Sequence, residues 1–354
     1  MSGGVDSSVA AALLVEQGYD VVGMMMRLWS DEAMGGAEHN RCCTPEQMAD
    51  ARRIADNLNI PFYVLDTKSV FRNTVVEFFI DQHRQGFTPN PCMECNRHIR
   101  FDYLLKNALA LDADFLATGH YARIQYDTTA DSYHLKKGLD EHKDQSYVLS
   151  VMGQPQLAKT LFPIGEYPKQ QVREMAAKFG LSVASKKDSQ DLCFLGQNDY
   201  RDFLRLHAPE IMQPGPIVLS NGDVVGEHQG LSNYTIGQRK GLGVYFSEPL
   251  YVLAMNPYRN ALVVGTKEEL GFDQFYADRV NWVSGQAPTE SIRAEVKIRY
   301  KARAVSATVT ALDEDRVKIE LDEPVLDLAP GQGAVFYQSD ICLGGGRILQ
   351  VKSD

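Results

Sequence analysis

The chain has 354 residues, 44% hydrophobic and 23% charged, an ordinary globular composition at a length where one core stops growing, so two or three domains are expected. No stretch reaches the ~18 to 20 apolar residues of a membrane helix, and Met1 runs straight into Ser2-Gly3-Gly4 without a basic or apolar leader; the expectation is a cytoplasmic protein, neither membrane-bound nor exported. A net charge of −10 excludes a protein that coats nucleic acid through its overall field but allows a local basic face, and six cysteines are too few for a disulfide scaffold and suit metal binding or catalysis better.

In chain order, Ser7 to Gln17 reads as a helix closed by Gly18, and Tyr19 to Met26 as a buried strand. Thr44-Pro45-Glu46-Gln47 combines an N-cap, a proline for the first helical position and the Gln of a capping box, so a helix should run to about Leu58. Strand Phe62 to Leu65, helix Val70 to His83, helix Asn96 to Leu109 and strand Phe115 to Thr118 continue an alternation that predicts a doubly wound parallel sheet in an α/β domain. A hairpin is expected over Arg123 to Lys136, with helices at Gln145 to Val151, Gln170 to Phe179 and Tyr200 to Leu206. Past Pro214-Gly215-Pro216, short alternating strands separated by turns take over. The expected domains are an α/β catalytic domain over 1–206, a small central domain over 207–272 and a C-terminal β-barrel over 273–354.

Three features carry chemistry. Ser2-Gly3-Gly4-Val5-Asp6-Ser7-Ser8 stands before a helix, where glycines admit a ligand to the backbone and unpaired N–H groups with the helix dipole attract phosphate. It lacks the lysine of GxxxxGK[ST], so terminal phosphoryl transfer is not the obvious reaction. The second feature is Cys92-Met93-Glu94-Cys95, a CxxC placed directly before the expected helix, with Cys193 far downstream among Lys186, Lys187 and polar residues; helix dipole and cations would favour thiolates. These cysteines suit sulfur transfer between two thiols, or a three-cysteine iron–sulfur cluster on Cys92, Cys95 and Cys193 with an open iron position. Structural zinc fits less well, for want of a second paired motif. Buried inertness suits Cys342, and Cys42 and Cys43 have no assigned role. The third feature is Arg293 to Arg303, which as one strand would put Arg293, Lys297, Arg299, Lys301 and Arg303 with Glu295 on a single face, either a phosphate-binding stripe or a solvated barrel face.

Seven segments, SGGVDSS, TPNPCMECNRHIRF, ATGHYAR, LDEHKDQSYVL, KKDSQDLCFLG, GEHQGLSNYTIGQRKGLG and APGQGAVFY, follow in this order from residue 2 to residue 337. Together they resemble the bacterial tRNA-specific 2-thiouridylases, members of the ATP pyrophosphatase family. The resemblance implies an ATP-dependent sulfurtransferase of tRNA processing that adenylates the C2 oxygen of the wobble uridine and replaces it with sulfur. It implies that Cys95 is the catalytic cysteine and Cys193 the persulfide carrier, the two forming a disulfide during turnover. It implies that Ser2, Gly3, Gly4, Val5, Asp6 and Ser7 hold the pyrophosphate, that Met26 and Gly119 hold the adenine nucleotide, and that Asn90, Pro91 and Cys92 meet the target base. His120, Lys143, Asp144, Gln145, Arg299, Tyr300 and Gln332 would contact tRNA. ATP, Mg²⁺ and a sulfur donor, either a cysteine desulfurase or a relay protein, are the implied cofactors and partner. Two departures stand out. Members carry a hydrophobic strand before the glycine loop, where this sequence has only Met1, and many place Asp where Cys92 stands. A thiol with an ordinary pKa of about 8.5 cannot take over a carboxylate's role unchanged. The Cys form resembles thiolases that carry a cluster, so both sulfur routes stay open. The rival readings are an ATP pyrophosphatase acting on a different tRNA base and a non-catalytic tRNA-binding or iron–sulfur module.

Overall fold

The computed structural model describes residues 1–36, 44–186, 192–196 and 198–349; Cys42, Cys43 and Lys187 lie outside them. Helix α1 (Val5–Glu16) starts at Gly4 and buries Val5, Val9, Ala10 and Leu13. The following strand, β1 (Gly23–Arg27), starts later than its apolar run suggests: Tyr19 and Val22 are 47% and 52% exposed, and pairing begins only at Gly23. Helix α2 (Pro45–Asn57) carries the expected capping box, with Thr44 and Gln47 bonded reciprocally. β2 (Phe62–Asp66) runs parallel to β1, with Met26 opposite Leu65.

Residues 68–84 form one helix, α3, α-helical at Lys68–Phe71 and Glu77–Arg84 with a π-helical turn at Arg72–Val76. Residues 91–110 form α4, α-helical at Pro91–Glu94 and Leu105–Ala110 and π-helical over Cys95–Leu104. This corrects the expected start at Asn96. Asn90 is the N-cap, its side chain accepting from the Met93 N–H, and Pro91 is the first helical residue. With Pro91 as the first helical residue, the CxxC lies inside the start of the helix and not before it.

β3 (Leu116–Ala117) leads into the hairpin of β4 (Ala122–Asp127) and β5 (Ser132–Lys137), then α5 (Ser146–Leu149) and β6 (Thr160–Leu161), which pairs in parallel with β3. Two parallel strand pairs flanked by helices, β1–β2 and β3–β6, give the domain its α/β character; among the described residues no pairing joins them into the single sheet the alternation predicts. Helices α6 (Lys169–Lys178) and α7 (Tyr200–His207) complete it.

A four-stranded sheet follows, from β7 (Gly215–Leu219), β8 (Val224–His228), β9 (Tyr251–Asn256) and β10 (Ala261–Gly265), in the order β8-β7-β10-β9 over Ile217, Val252, Leu262 and Val264. The last strands are β11 (Phe272–Trp282), β12 (Ile292–Lys297), β13 (Val305–Ala311), β14 (Val317–Val325), β15 (Gly333–Gln338) and β16 (Ile341–Ile348). Pairing of β11 with both β14 and β16 closes them into a barrel. The sequence-expected hairpin is present, but β5 also pairs with β16 of the barrel, Leu135 standing opposite Cys342.

The strand expected over Arg293 to Arg303 is shorter. Ala294 and Val296 are buried and Arg293 and Glu295 exposed, as period two requires, but the strand ends at Lys297 and the chain turns, with the Ala302 N–H donating to the Arg299 carbonyl at 3.1 Å. Arg299, Lys301 and Arg303 therefore leave the strand face. On the remaining face, Arg293 pairs with Asp322, and Lys137 stands 3.5 Å from Glu295.

Candidate active site

The glycine loop is held from three sides. Gly3 has φ +66°, and a Cβ there would stand 2.4 Å from the Gln47 carbonyl oxygen, so the cap of α2 presses on the loop. A Cβ on Gly119 would stand 2.7 Å from the Ser7 nitrogen, so the end of β3 abuts the first turn of α1. Within the loop, the Ser8 hydroxyl donates to the Gly4 carbonyl at 2.7 Å and the Ser2 N–H to Ser7 Oγ at 3.1 Å. The cations missing from the motif arrive from elsewhere. Lys169 Nζ and the Tyr121 hydroxyl both donate to Asp6 Oδ1 at 2.7 Å, and Lys186 Nζ donates to the Gly3 carbonyl and to Asp50, each at 3.0 Å. Backbone N–H groups at a helix start beside two ammonium groups suit a polyphosphate. Val5 is buried in the core beneath them.

Met26 of β1 packs against two apolar clusters, one holding Met93 and Tyr147, the other Cys95. The second cluster joins the cysteines: buried Cys95 packs with Met25, Phe71, Ile99 and Phe194, and half-buried Cys193 lies against the same group. Cys92 is exposed. Lys186, expected as a cation near Cys193, donates to the glycine loop and Asp50 instead.

The barrel completes the surroundings of Cys92. Gln332 donates its side-chain amide to the carbonyls of Thr88 (2.9 Å) and Pro89 (3.2 Å), and the Thr88 N–H donates to Pro330 at 2.7 Å. The buried Tyr147 hydroxyl donates to the Gly333 carbonyl at 2.9 Å and receives a hydrogen bond from Asn90. Tyr300 meets Tyr147 edge to face at 6.2 Å, and burial raises its hydroxyl to about 12, with Asp144 and Cys92 adding to the rise. Arg299 lies beside Tyr147 and pairs with Asp327, while its buried Nε has no partner among the described residues.

Two other expected tRNA contacts, His120 and Asp144, are buried. Arg100 can only donate, so His120 Nε2 accepts from it at 3.0 Å and the Nδ1–H donates to Thr118 Oγ1 at 2.8 Å. Burial first, and Arg100 second, hold its pKa well below the usual value, so the ring is neutral. Asp144 is buried and accepts from the N–H groups of Gly138 and Ser146, each at 3.0 Å. Gln145 clasps Tyr121, its Oε1 accepting from the Tyr121 N–H at 3.0 Å. Lys143 is half-buried.

Residues 1–197 match the family model described as the tRNA methyl transferase HUP domain, 201–266 its PRC-barrel domain, and 272–348 the aminomethyltransferase beta-barrel domain. The chain is 48% identical to the tRNA-specific 2-thiouridylase MnmA of Natranaerobius thermophilus, over 99% of this chain and 96% of that protein. The chain belongs to the tRNA-specific 2-thiouridylase family. Its likeness to the Chloroflexus aggregans member is of the same order, 49% identity over 99% of this chain and 97% of the relative. A solved structure, the U34-tRNA thiolase NcsA from Methanococcus maripaludis with its [4Fe-4S] cluster, is 20% identical with a TM-score of 0.32, covering 59% of this chain and 65% of that one.

Within this family member, sequence reasoning missed Lys169, Tyr121 and Tyr147 and assigned Lys186 to Cys193 instead of the glycine loop. The lysines come more than 160 residues after the loop, a separation no local motif reveals. Tyr147 lies in the DQSYVL segment, where an aromatic directly after a polar run was the available signal. Among the described residues, no three His, Cys, Asp or Glu side chains are grouped to hold a metal ion. Of the three cysteines expected as a cluster set, Cys95 is buried, Cys193 half-buried and Cys92 exposed. No helix among them is long and apolar enough to cross a membrane.

Proposed function

We propose that this chain uses ATP to activate the C2 oxygen of the wobble uridine in tRNA and replaces that oxygen with sulfur passed through Cys193 and Cys95. The full-length likeness to thiouridylases carries this reading. The proposed division of labour follows the domains: 1–206 for nucleotide and sulfur chemistry, 207–272 as a central module, and 273–354 as the barrel that frames the tRNA side of the site.

Ser2 to Ser7 would bind pyrophosphate with Lys169 and Lys186 beside it, and Met26 and Gly119 would border the nucleotide. Mg²⁺ bound with the nucleotide would neutralise the charge of the polyphosphate that Ser2 to Ser7 hold. The uridine oxygen attacks the α-phosphorus, the α–β bond breaks and pyrophosphate leaves. A persulfide on Cys193 then attacks C2 through its terminal sulfur and AMP departs. Cys95 thiolate attacks Cys193 Sγ, the bond to the transferred sulfur breaks, and its electrons restore the C2 double bond as thiocarbonyl. The resulting Cys95–Cys193 disulfide takes two electrons from an external thiol reductant before the next turnover. Both cysteines bordering one apolar cluster supports this two-thiol route over a cluster. A cysteine desulfurase or relay protein would load Cys193, in the cytoplasm where its tRNA substrate is.

Pyrophosphate release tests the activation step. It should require a tRNA with an unmodified wobble uridine; release that is equal without tRNA, or with a tRNA lacking that uridine, would contradict the reading.

A further inference from the structure

The central domain presents an exposed basic and aromatic loop that the account above leaves without a role. We propose that residues 237–246 form a second RNA contact, which grips nucleotides flanking the target uridine: phosphate on Arg239 and Lys240, and an unstacked base on Tyr245 or Phe246. The inference rests on tRNA being the substrate.

The loop is built. The Thr235 N–H donates to Gln238 Oε1 at 3.1 Å, and Gln238 Nε2 donates to the Lys240 carbonyl at 2.9 Å, so one carboxamide fixes the turn that carries both cations. Gly241 and Gly243, at φ +80° and +68°, let the backbone dip so that Leu242 anchors in the domain core between them. The chain therefore shows a basic pair before the anchor and an aromatic pair after it.

Tyr245 is 104% exposed and Phe246 45%. Two adjacent exposed rings offer the faces on which an unstacked base can lie. Arg239 and Lys240 are exposed and, among the described residues, make no ion pair. Of the exposed arginines, Arg84, Arg205, Arg293 and Arg316 are matched to a carboxylate, while Arg52, Arg259 and Arg303, like Arg239, make no ion pair among the described residues; what sets Arg239 apart is a lysine beside it and two exposed rings on the same loop. An unmatched basic pair next to bare aromatic rings is complementary to single-stranded RNA, whose phosphates take the cations and whose bases stack on the rings.

The loop is also continuous with the site. A Cβ on Gly237 would stand 3.2 Å from Asp327 Cβ and 3.3 Å from the Leu326 carbonyl oxygen. Asp327 is the partner of Arg299, which lies beside Tyr147 and so beside the residues around Cys92. A base drawn out of its stack towards Cys92 leaves its neighbours unstacked, and the strand leading away passes this edge.

The test is equilibrium binding of a tRNA with an unmodified wobble uridine between roughly 50 and 200 mM salt, with melting curves to verify folding. The double variant Arg239→Gln/Lys240→Gln should lower the slope of log affinity against log salt by about 1.4, from roughly 0.7 per single-strand phosphate. The double variant Tyr245→Ala/Phe246→Ala should weaken binding roughly 5- to 150-fold with an unchanged slope, as expected for one lost base stack. Tyr245→Phe, which keeps the ring, should bind like the parent. If wild-type protein binds and thiolates tRNA and both double variants match it in affinity and slope, the loop assignment is wrong and the surface faces solvent or a protein partner. A wild-type protein that binds no tRNA would overturn the functional reading as well.

Discussion

Gln332 of the barrel donates its side-chain amide to the Thr88 carbonyl at 2.9 Å, across 244 residues of chain. The backbone entering the cysteine helix is thereby set by a residue of another domain. Gly331 and Gly333 make the approach possible: a Cβ on the first would stand 2.8 Å from Phe87 Cβ, and one on the second 2.7 Å from Met93 Sδ.

Gln332→Ala should therefore act on turnover more than on nucleotide binding. It strips two carbonyls of their donor, at a cost of about 1 to 2 kcal/mol. Thiolation kcat should fall at least several-fold while the ATP Kd stays unchanged; a rise in ATP Kd with normal kcat would reverse the assignment.

Gly119→Ala tests the back wall of the phosphate loop. The added methyl meets the Asp6–Ser7 backbone at 2.7 Å, and such overpacking costs about 1 to 3 kcal/mol or displaces the loop. ATP affinity measured by calorimetry should drop at least tenfold.

Lys169→Ala removes a cation that is 8% exposed from Asp6. Breaking a fully buried pair costs about 3 to 5 kcal/mol, and the 33% exposure of the Asp6 side chain lowers that figure. ATP binding should weaken more than in Lys178→Ala, whose ammonium is 74% exposed and 3.9 Å from Glu16.

Burial pushes His83 down to about 4 from 6.5, so the unfolded chain binds the extra proton between those values. Its contribution is complete above pH 6.5 and is lost as pH falls towards 4. His83→Gln should flatten the slope of stability against pH in that window without abolishing it, because burial also lowers His120, His228 and the Met1 amino group. An unchanged slope in denaturant melts would exclude His83.

The local signals were the legible ones. Thr44 and Gln47 announce α2 because a capping box is complete within four residues. The start of α4 was misplaced because Asn90-Pro91 serves equally as a stiff loop and as a cap with a first helical residue. Arg299 was placed on a strand because alternation persists for one residue past Lys297, the last of β12, with Ile298 still buried, while the turn at Arg299–Ala302 has no glycine or proline to mark it. The pairing of β5 with β16 and the convergence of Lys169 and Lys186 on the glycine loop are long-range, and no periodicity encodes them.

The most direct measurement is mass spectrometry of tRNA nucleosides after incubation with ATP, a reductant and a persulfide-generating sulfur donor. Wild-type, iron-free protein should produce 2-thiouridine at the wobble position, and Cys95→Ser and Cys193→Ser should produce none. Thiolated uridine from either single variant, or a wild-type protein active only when loaded with iron, would contradict sulfur transfer through these two thiols.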